Sequence, residues 1–417
     1  MHFSLFWGYL SQTKMTIDTP VIYQIRELTP REKELIKASV PILEESGDVL
    51  TSKFYNHMLT DFPEVKPFFN ESNQKTMKQP KILAFALLQY AKNIDDIAPL
   101  TAFVNQIVVK HVGLQVKPEH YPIVGQCLLD TMETLLGPEI ATEEFLTAWA
   151  TAYGNLAQIL INAEAEKYKT MEWDGFRSFK ITRIENESKN VKSVYFKPAD
   201  GGKIAMPKRG QYVCIRFRLP DSDTEKSREY SLSQYPSSDE YRISVRLVEG
   251  GQISPFIHNG LQVGSTIRVS PPAGQFVYRE SDVAKPVVLF VGGIGITPLV
   301  SISEKALESG RQVYMLNSNR QIETRPFAKW LQALKEKYGD KFKLIEFISN
   351  ESESDLQAID KLESRRLAAQ DFDFVKPNFD YYMLGPNPYM NFVKGELLNR
   401  GVEESEIASE FFGPMEV

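Results

Sequence analysis

The hydrophobic periodicity of the chain changes twice along its length and restricts the fold more than any other feature. Up to about residue 170, apolar residues recur at the spacing of amphipathic helices. From Trp173, short β-rich runs such as YRISVRLVE alternate with turn residues, which favours an antiparallel barrel. From Pro286, strand-like and helix-like runs alternate, which favours a parallel sheet with crossover helices. The sequence therefore predicts a multidomain protein: all-α, then an antiparallel β-barrel, then an α/β parallel-sheet domain.

The length of 417 residues agrees with this division, because chains of this size usually form roughly three domains. We expect domain boundaries at 18–170, 173–282 and 285–417. Residues 1–17 are expected to be a disordered extension. Their apolar stretch is not preceded by the basic region that a signal peptide requires.

Composition excludes several classes of function. The net charge of -6, without a basic cluster, argues against nucleic-acid binding. No apolar run is long enough to span a bilayer, so no integral membrane segment is expected. Cys127 and Cys214 lie far apart, which argues against a disulfide framework and against a thiolate metal cluster. We expect a monomer in a reducing, cytoplasmic compartment.

Two of the five histidines lie close together in sequence but in different patterns. His111 continues an apolar helical stripe formed by Val104, Ile107 and Val108. An imidazole in such a position needs a hydrogen-bond partner or a metal, and periodicity alone favours a hydrogen-bonded core histidine over a ligand. His120 begins a separate helix, and we expect it at the surface.

Three glycine- or arginine-containing motifs follow the helical segment. VGGIGITP, from Val291 to Pro298, lies between a strand and a helix and suits an anionic ligand at the carboxyl end of that strand. It is not a dinucleotide fingerprint, because the third glycine of that motif would fall on Pro298. REYSLS, from Arg228, combines a guanidinium for phosphate with a phenol that can stack on a flat ring. EGGQIS adds a glycine-rich turn before Ser254. Each motif could also be an ordinary turn or strand.

In this order the motifs resemble the ferredoxin-reductase type of flavin reductase: an Arg-x-Tyr-Ser strand, a Gly-x-x-Ser turn and a Gly-Gly-x-Gly-x-Thr-Pro turn. With the helical domain in front, essentially everything after Met15 resembles the flavohaemoglobins. The resemblance implies a globin domain, an FAD-binding barrel and an NAD(P)-binding domain, with haem b, FAD and NAD(P)H as cofactors.

The resemblance also implies a haem site. The family's proximal haem ligand lies in a Lys-His pair upstream of Lys-Pro-Glu-x-Tyr, which here gives Lys110 and the ligand His111. It makes Tyr121 and Glu164 the partners of that histidine. Glu164 independently continues an apolar stripe, where a carboxylate needs a partner. A carboxylate that accepts from a ligating imidazole suits oxygen activation. The remaining residues of the haem pocket implied by the family are Tyr55, Gln79, Phe69 and Leu83.

The flavin and nicotinamide sites are implied in the same way. The residues implied for FAD in the barrel are Tyr212, Arg228, Tyr230, Ser231, Gly251, Gln252 and Ser254. Near the C-terminus the family pattern gives Glu410 and Phe412, with Phe412 stacking on the isoalloxazine. The residues implied for the NAD(P)H turn are Gly292, Gly293, Gly295, Thr297 and Pro298.

Three positions depart from the family pattern. Leu384 and Phe411 stand where the family has cysteine, and Arg209 stands where it has proline. We expect Leu384 to crowd the nicotinamide and slow hydride transfer, because the reaction depends on close approach of the reacting carbons. Arg320 either meets the 2′-phosphate of NADPH or is an ordinary exposed arginine, so the choice between NADH and NADPH stays open.

The resemblance implies a nitric oxide dioxygenase, which converts nitric oxide and O2 to nitrate with NAD(P)H electrons passed through FAD to haem. Two alternatives remain from the sequence. One is a haem-based sensor of O2 or nitric oxide with a weakened reductase, which Leu384 favours. The other is a flavin, quinone or ferric reductase.

Overall fold

A computed structural model describes residues 21–69, 78–220, 222–350, 361–410 and 412. The predicted extension at 1–17 lies outside these residues. The chain forms two compact units. The first is helical, extends to Asp174 and includes the short segment Asp223–Ser227, and the second begins at Gly175 and contains both sheets. No described helix is both long and apolar enough to cross a membrane.

The helical unit confirms the all-α prediction for the first part of the chain. The α-helices among its described residues are α1 (Pro30–Ala38), α2 (Val40–Asp61), α3 (Lys78–Lys92), α4 (Thr101–Leu114), α5 (His120–Leu136) and α6 (Glu143–Tyr168). A capping box begins α1: the Thr29 hydroxyl accepts from the Glu32 amide, and the Glu32 carboxylate accepts from the Thr29 amide.

Helix α6 has a long buried face on which two other helices pack. Thr142 caps it by accepting a hydrogen bond from the Phe145 amide. The acidic residues of its first turn interact favourably with the positive end of the helix dipole. Its buried face includes Trp149, which is 1% exposed, and continues to Glu164. Both α4 and α5 pack on α6, so residues from the three helices can meet along this face.

The first sheet of the second unit has the strand order β4-β3-β6-β1-β2-β5. Its strands are β1 (Arg177–Ser188), β2 (Val191–Pro198), β3 (Tyr212–Phe217), β4 (Lys226–Ser231), β5 (Tyr241–Arg246) and β6 (Thr266–Val269). The β1–β2, β1–β6, β2–β5 and β3–β6 pairs run antiparallel. A further antiparallel bridge joins Leu232, just after β4, to Ile243 in β5, so the two edge strands meet as in a closed barrel. The short helix α7 (Ile253–Asn259) follows β5.

The second sheet has the order β10-β9-β8-β7-β11-β12, and each neighbouring pair runs parallel. Its strands are β7 (Val287–Gly292), β8 (Val313–Asn319), β9 (Phe342–Ile348), β10 (Lys361–Glu363), β11 (Asp380–Leu384) and β12 (Ile407–Ser409). The helices are α8 (Ile296–Glu308), α9 (Ala328–Tyr338) and α10 (Asn387–Asn399). The strand order reverses between β7 and β11, and such a switch point is where open α/β sheets bind ligands.

The backbones come unusually close at the carboxyl ends of β7 and β11. A Cβ atom at Gly292 would lie 3.0 Å from the Gly385 Cα, and one at Gly295 would collide with the Leu384 carbonyl oxygen. Gly293 between them has φ +57°, a conformation that side chains other than glycine rarely adopt. Glycine is therefore required at this turn by the packing of the sheet as well as by any ligand.

We predict that Gly295→Ala lowers the free energy of unfolding of this unit by about 1–3 kcal/mol, because the added methyl group meets backbone that cannot give way easily. Gly395→Ala is the matched control. Gly395 lies inside α10, and a methyl group added there would have no other atom within 4 Å, so alanine should be neutral or stabilise the helix by about 0.5–1 kcal/mol. Urea unfolding curves of the two variants measure the difference, and equal midpoints would contradict the predicted collision.

Candidate functional site

The His111 ring is held by a carboxylate and a phenol from the neighbouring helices. Its Nδ1 lies 2.8 Å from Glu164 Oε1, and the Tyr121 hydroxyl donates to the same oxygen at 2.6 Å. Glu164 is only 2% exposed. A buried carboxylate accepts from Nδ1–H, so the Nε2 lone pair is the one available to a metal. The structure therefore joins His111, Tyr121 and Glu164 in one arrangement, although they come from three helices.

Tyr121 is fixed in this arrangement from two sides. Burial, with the Glu164 charge second, raises the pKa of the Tyr121 hydroxyl well above its usual range, so it acts as a neutral donor. The Tyr153 hydroxyl donates to the Tyr121 carbonyl oxygen at 2.7 Å. Tyr121 therefore holds the carboxylate in place and does not itself carry charge.

The donor set at His111 fits haem better than a bare metal ion. Within the part of the chain that the structure describes, no group of three or more His, Cys, Asp or Glu residues is arranged to hold a metal. A single imidazole with its Nδ1–H bound to a carboxylate suits an iron whose other ligands come from a porphyrin. Lys110, next to His111 on α4, is exposed.

Tyr55 and Phe69 lie together in another part of the helical unit's core. Tyr55, on α2, is 8% exposed, and its ring meets the Phe69 ring edge to face at 5.5 Å. Burial raises the Tyr55 pKa above its usual range, so its hydroxyl is a neutral hydrogen-bond donor. Leu83, on α3, packs half-buried against the same core. Gln79 lies in the first turn of α3, and its side chain lies outside what the structure describes.

His120 is not the surface residue that the sequence predicts. It is half-buried at the start of α5, where its Nδ1 accepts a hydrogen bond from the Lys117 amide at 2.9 Å. Its ring also lies 4.6 Å from the Phe68 ring. The prediction failed because it used sequence position alone and missed that the imidazole caps its own helix turn and packs on a distant aromatic residue.

In the barrel, β4 places Arg228 and Tyr230 two residues apart, on the same face of the strand. Burial lowers the pKa of the Arg228 guanidinium, which is therefore partly removed from water, as suits an arginine that meets a phosphate. Tyr230 packs edge to face on Phe217 at 6.3 Å, and Ser231 is 6% exposed.

Tyr212 and Glu410 lie near one another in the second unit. A Cβ atom at Gly274 would come within 2.8 Å of the Tyr212 ring and 3.8 Å of a Glu410 carboxylate oxygen. Burial raises the Tyr212 pKa strongly, and the Glu229 and Glu410 charges raise it further. Phe412, two residues after Glu410, is 52% exposed, which leaves its ring surface open to a flat partner.

The Gly251–Ser254 turn is closed by its own hydrogen bonds. Ser254 Oγ accepts from the Val248 amide at 3.0 Å, and the Gly251 amide donates to the Val248 carbonyl oxygen at 3.1 Å. Gln252 is exposed. The serine hydroxyl therefore shapes the turn, and α7 begins one residue before it.

In the turn expected to bind NAD(P)H, the three glycines and the Thr297–Pro298 pair have different positions. Gly292, Gly293 and Gly295 form the close approach of β7 to β11 described above. Thr297 and Pro298 are buried in the first turn of α8, and the Thr297 hydroxyl donates to the Ile294 carbonyl oxygen at 3.1 Å. The backbone of this turn is thus what a ligand could approach.

Arg320 is exposed just after β8. Arg246, at the end of β5, is exposed, but partial desolvation lowers its pKa and the charge of nearby Arg320 lowers it further. Arg246 also lies 3.3 Å from the Cβ position of Gly293. Sequence reasoning missed Arg246, because only the fold brings the end of a barrel strand to the glycine turn. The two guanidiniums add positive charge near the glycine turn.

Leu384 does not have the exposed position that obstruction of the nicotinamide requires. It is 0% exposed and belongs to the hydrophobic core that includes Val291, Ile296 and Tyr382. Its carbonyl oxygen and side chain back the Gly295 turn. A leucine buried in this way fills core space, so the structure does not support the expectation that it slows hydride transfer by crowding. Phe411 lies outside the described residues.

We predict that Leu384→Cys lowers the free energy of unfolding by about 2 kcal/mol, because it removes buried apolar volume. We expect the rate of flavin reduction by NADH or NADPH to stay unchanged in stopped-flow measurements. Faster flavin reduction in the variant would restore the crowding interpretation.

The comparisons with known proteins agree with this architecture. The chain matches the Globin family over residues 52–160, the oxidoreductase FAD-binding domain over 178–278 and the oxidoreductase NAD-binding domain over 289–395. It is 52% identical to a flavohemoprotein of Candida albicans over 397 residues, which cover 94% of this chain and 99% of that relative.

Two solved structures are also similar. A flavohemoglobin from Malassezia yamatoensis with bound FAD and heme matches 93% of this chain and 100% of its own, with 26% identity and a TM-score of 0.80. The FAD/NAD-binding domain of a nitric oxide dioxygenase from Vibrio cholerae matches 57% of this chain and 99% of its own, with 31% identity and a TM-score of 0.51. The chain therefore belongs to the flavohemoproteins, in which a haem-binding globin domain precedes FAD- and NAD(P)-binding domains, and it is an NAD(P)H-dependent oxidoreductase.

Proposed function

We propose that this flavohemoprotein is a nitric oxide dioxygenase, which converts nitric oxide and O2 to nitrate with electrons from NAD(P)H. The observation that carries the proposal is the His111–Glu164–Tyr121 arrangement around a buried carboxylate. The similarity to the FAD/NAD-binding domain of the Vibrio cholerae dioxygenase supports the same reaction.

Bound haem would supply the iron at which O2 reacts, and bound FAD would pass NAD(P)H electrons to it one at a time. His111 would hold the iron through Nε2. Its Nδ1–H donates to the Glu164 carboxylate, which makes the imidazole a more basic ligand and directs electron density toward the metal. This property suits activation of O2 more than reversible storage, and it supports an enzyme.

Tyr55 and Gln79 would donate hydrogen bonds to O2. A neutral phenol, held in a site with little water, interacts most strongly with an acceptor that carries partial negative charge. Phe69 and Leu83 would exclude water from the surroundings of the Tyr55 hydroxyl. Both residues belong to the same apolar core as Tyr55.

In the second unit, Arg228, Tyr230 and Ser231 would hold FAD, with Tyr212 and Phe412 against its ring system. The glycine turn would admit NAD(P)H, and Arg246 and Arg320 would attract its phosphates. A sensor with a weakened reductase would require Leu384 to obstruct hydride transfer, and its complete burial gives that alternative no support.

We predict that His111→Ala abolishes stoichiometric haem binding while FAD remains bound, because the two cofactors depend on different domains. Absorption spectra of the purified full-length protein measure haem and flavin per chain. His120→Ala is the matched control, since His120 is another half-buried histidine of the same unit and should leave haem content unchanged. A normal haem band in His111→Ala would refute the ligand assignment.

We predict that Tyr55→Phe speeds O2 dissociation and lowers nitric oxide-stimulated NAD(P)H oxidation without unfolding the protein. A hydrogen bond to a partly charged acceptor contributes about 1.5–3 kcal/mol, which corresponds to a change of roughly 10- to 150-fold in the off-rate. Stopped-flow measurement of O2 release tests this. An unchanged off-rate, with haem content intact, would remove Tyr55 from the O2 site.

A further inference from the structure

The helix that carries His111 ends in an unusual conformation. Helix α4 stops at Leu114, about one turn after the histidine, and Gln115 follows with φ 61° and ψ 43°. This left-handed conformation is unfavourable for a residue other than glycine, because its Cβ atom comes too close to the following carbonyl oxygen. Gln115 is also 3% exposed, so the turn is part of the interior and not a frayed helix end.

Hydrogen bonds from within α4 and from α6 hold this turn. The Val116 amide donates to the His111 carbonyl oxygen at 3.0 Å, and the Gln115 amide donates to the Val112 carbonyl oxygen at 3.1 Å. The Gln115 side-chain amide donates to the same Val112 oxygen at 2.7 Å. A further bond comes from α6, where the Tyr168 hydroxyl donates to the Val116 carbonyl oxygen at 2.6 Å. A strained conformation persists only where surrounding contacts fix it, as they do here.

Tyr168 is four residues after Glu164, so the two side chains project from the same face of α6. Glu164 accepts from the His111 ring, and Tyr168 holds the turn that follows His111. The Tyr168 hydroxyl also lies 3.4 Å from the His111 carbonyl oxygen itself. Helix α6 therefore contacts the ring of His111 at one point and the backbone next to it at another. The backbone contact limits movement of the helix end relative to Glu164, in addition to the hydrogen bond that the ring itself makes.

We propose that Tyr168 is a positioning residue for His111: by holding the Gln115–Val116 turn, it sets the angle at which the His111 ring meets Glu164. The inference rests on the proposed haem site and adds a residue that acts only through the backbone of α4. Without the phenol, the turn would lose its hydrogen bond to α6. The Nδ1–Glu164 bond would then lengthen or bend, and the imidazole would be a weaker electron donor.

The test uses the full-length, haem-loaded protein and compares Tyr168→Phe with Tyr90→Phe. Tyr90 is the matched control, because its hydroxyl also donates to a backbone carbonyl, that of Ala152 at 2.8 Å, but this carbonyl lies on α6 several turns before Tyr168. The first measurement is the iron–imidazole stretching frequency of the reduced protein by resonance Raman, and the second is the haem midpoint potential.

We expect Tyr168→Phe to lower and broaden the stretching band and to raise the midpoint potential, because a weaker donor stabilises the oxidised iron less. Tyr90→Phe should match the wild type in both. Gln115→Val disturbs the same turn without changing Tyr168, since a β-branched residue is an outlier at positive φ, and it should shift the band in the same direction.

An unchanged stretching band in Tyr168→Phe, or in Gln115→Val, would overturn the proposal, because the turn would then not act on the ring. Equal shifts in Tyr168→Phe and Tyr90→Phe would also overturn it, as a general loss of packing would explain both. Failure of the haem site itself gives a different result: His111→Ala would keep its normal haem band.

Discussion

The burial of the Glu164 carboxylate is the interaction on which the helical unit's site depends. A carboxylate that is 2% exposed is costly unless donors compensate its charge. His111 and Tyr121 provide two, and both bind the same oxygen atom. Because these donors come from α4 and α5 and the acceptor from α6, a displacement of any one helix leaves the charge less well compensated. The geometry of the site therefore depends on how the three helices pack together.

The same interaction fixes the chemistry of the histidine. With Nδ1–H engaged, the imidazole is held in one tautomer and Nε2 is left as the donor to a metal. A charged acceptor also makes that nitrogen more basic than a backbone carbonyl acceptor would. The face of α6 that carries Glu164 also carries Tyr168, so one helix supplies both the charge and the contact that orients the ring.

Much of this could be predicted from the sequence, and the failures have a common cause. The two changes of hydrophobic period predicted the helical unit, the antiparallel sheet and the parallel sheet in the right order, since burial on one face imposes its period locally. Periodicity favoured a core role for His111 over that of a ligand, and only the family resemblance pointed to Glu164 as its partner. The error at His120 and the omission of Arg246 and Tyr168 concern contacts between residues far apart in sequence. The burial of Leu384 behind the Gly295 turn depends on such contacts as well.

The glycine turn of the second unit depends on a different constraint from the histidine site of the helical unit. In the helical unit, a buried carboxylate requires hydrogen-bond donors. Where β7 and β11 meet, the close approach of the two backbones requires residues without side chains. Gly292 and Gly295 let two strands approach so closely that a methyl group would meet backbone. Such a motif can be recognised in the sequence, because only glycine fits the turn. The residues that pack behind the turn cannot be recognised in this way, since any side chain of suitable volume can fill that space. Leu384 fills that space. Leucine in place of the family's cysteine therefore changes the packing of the core behind the turn.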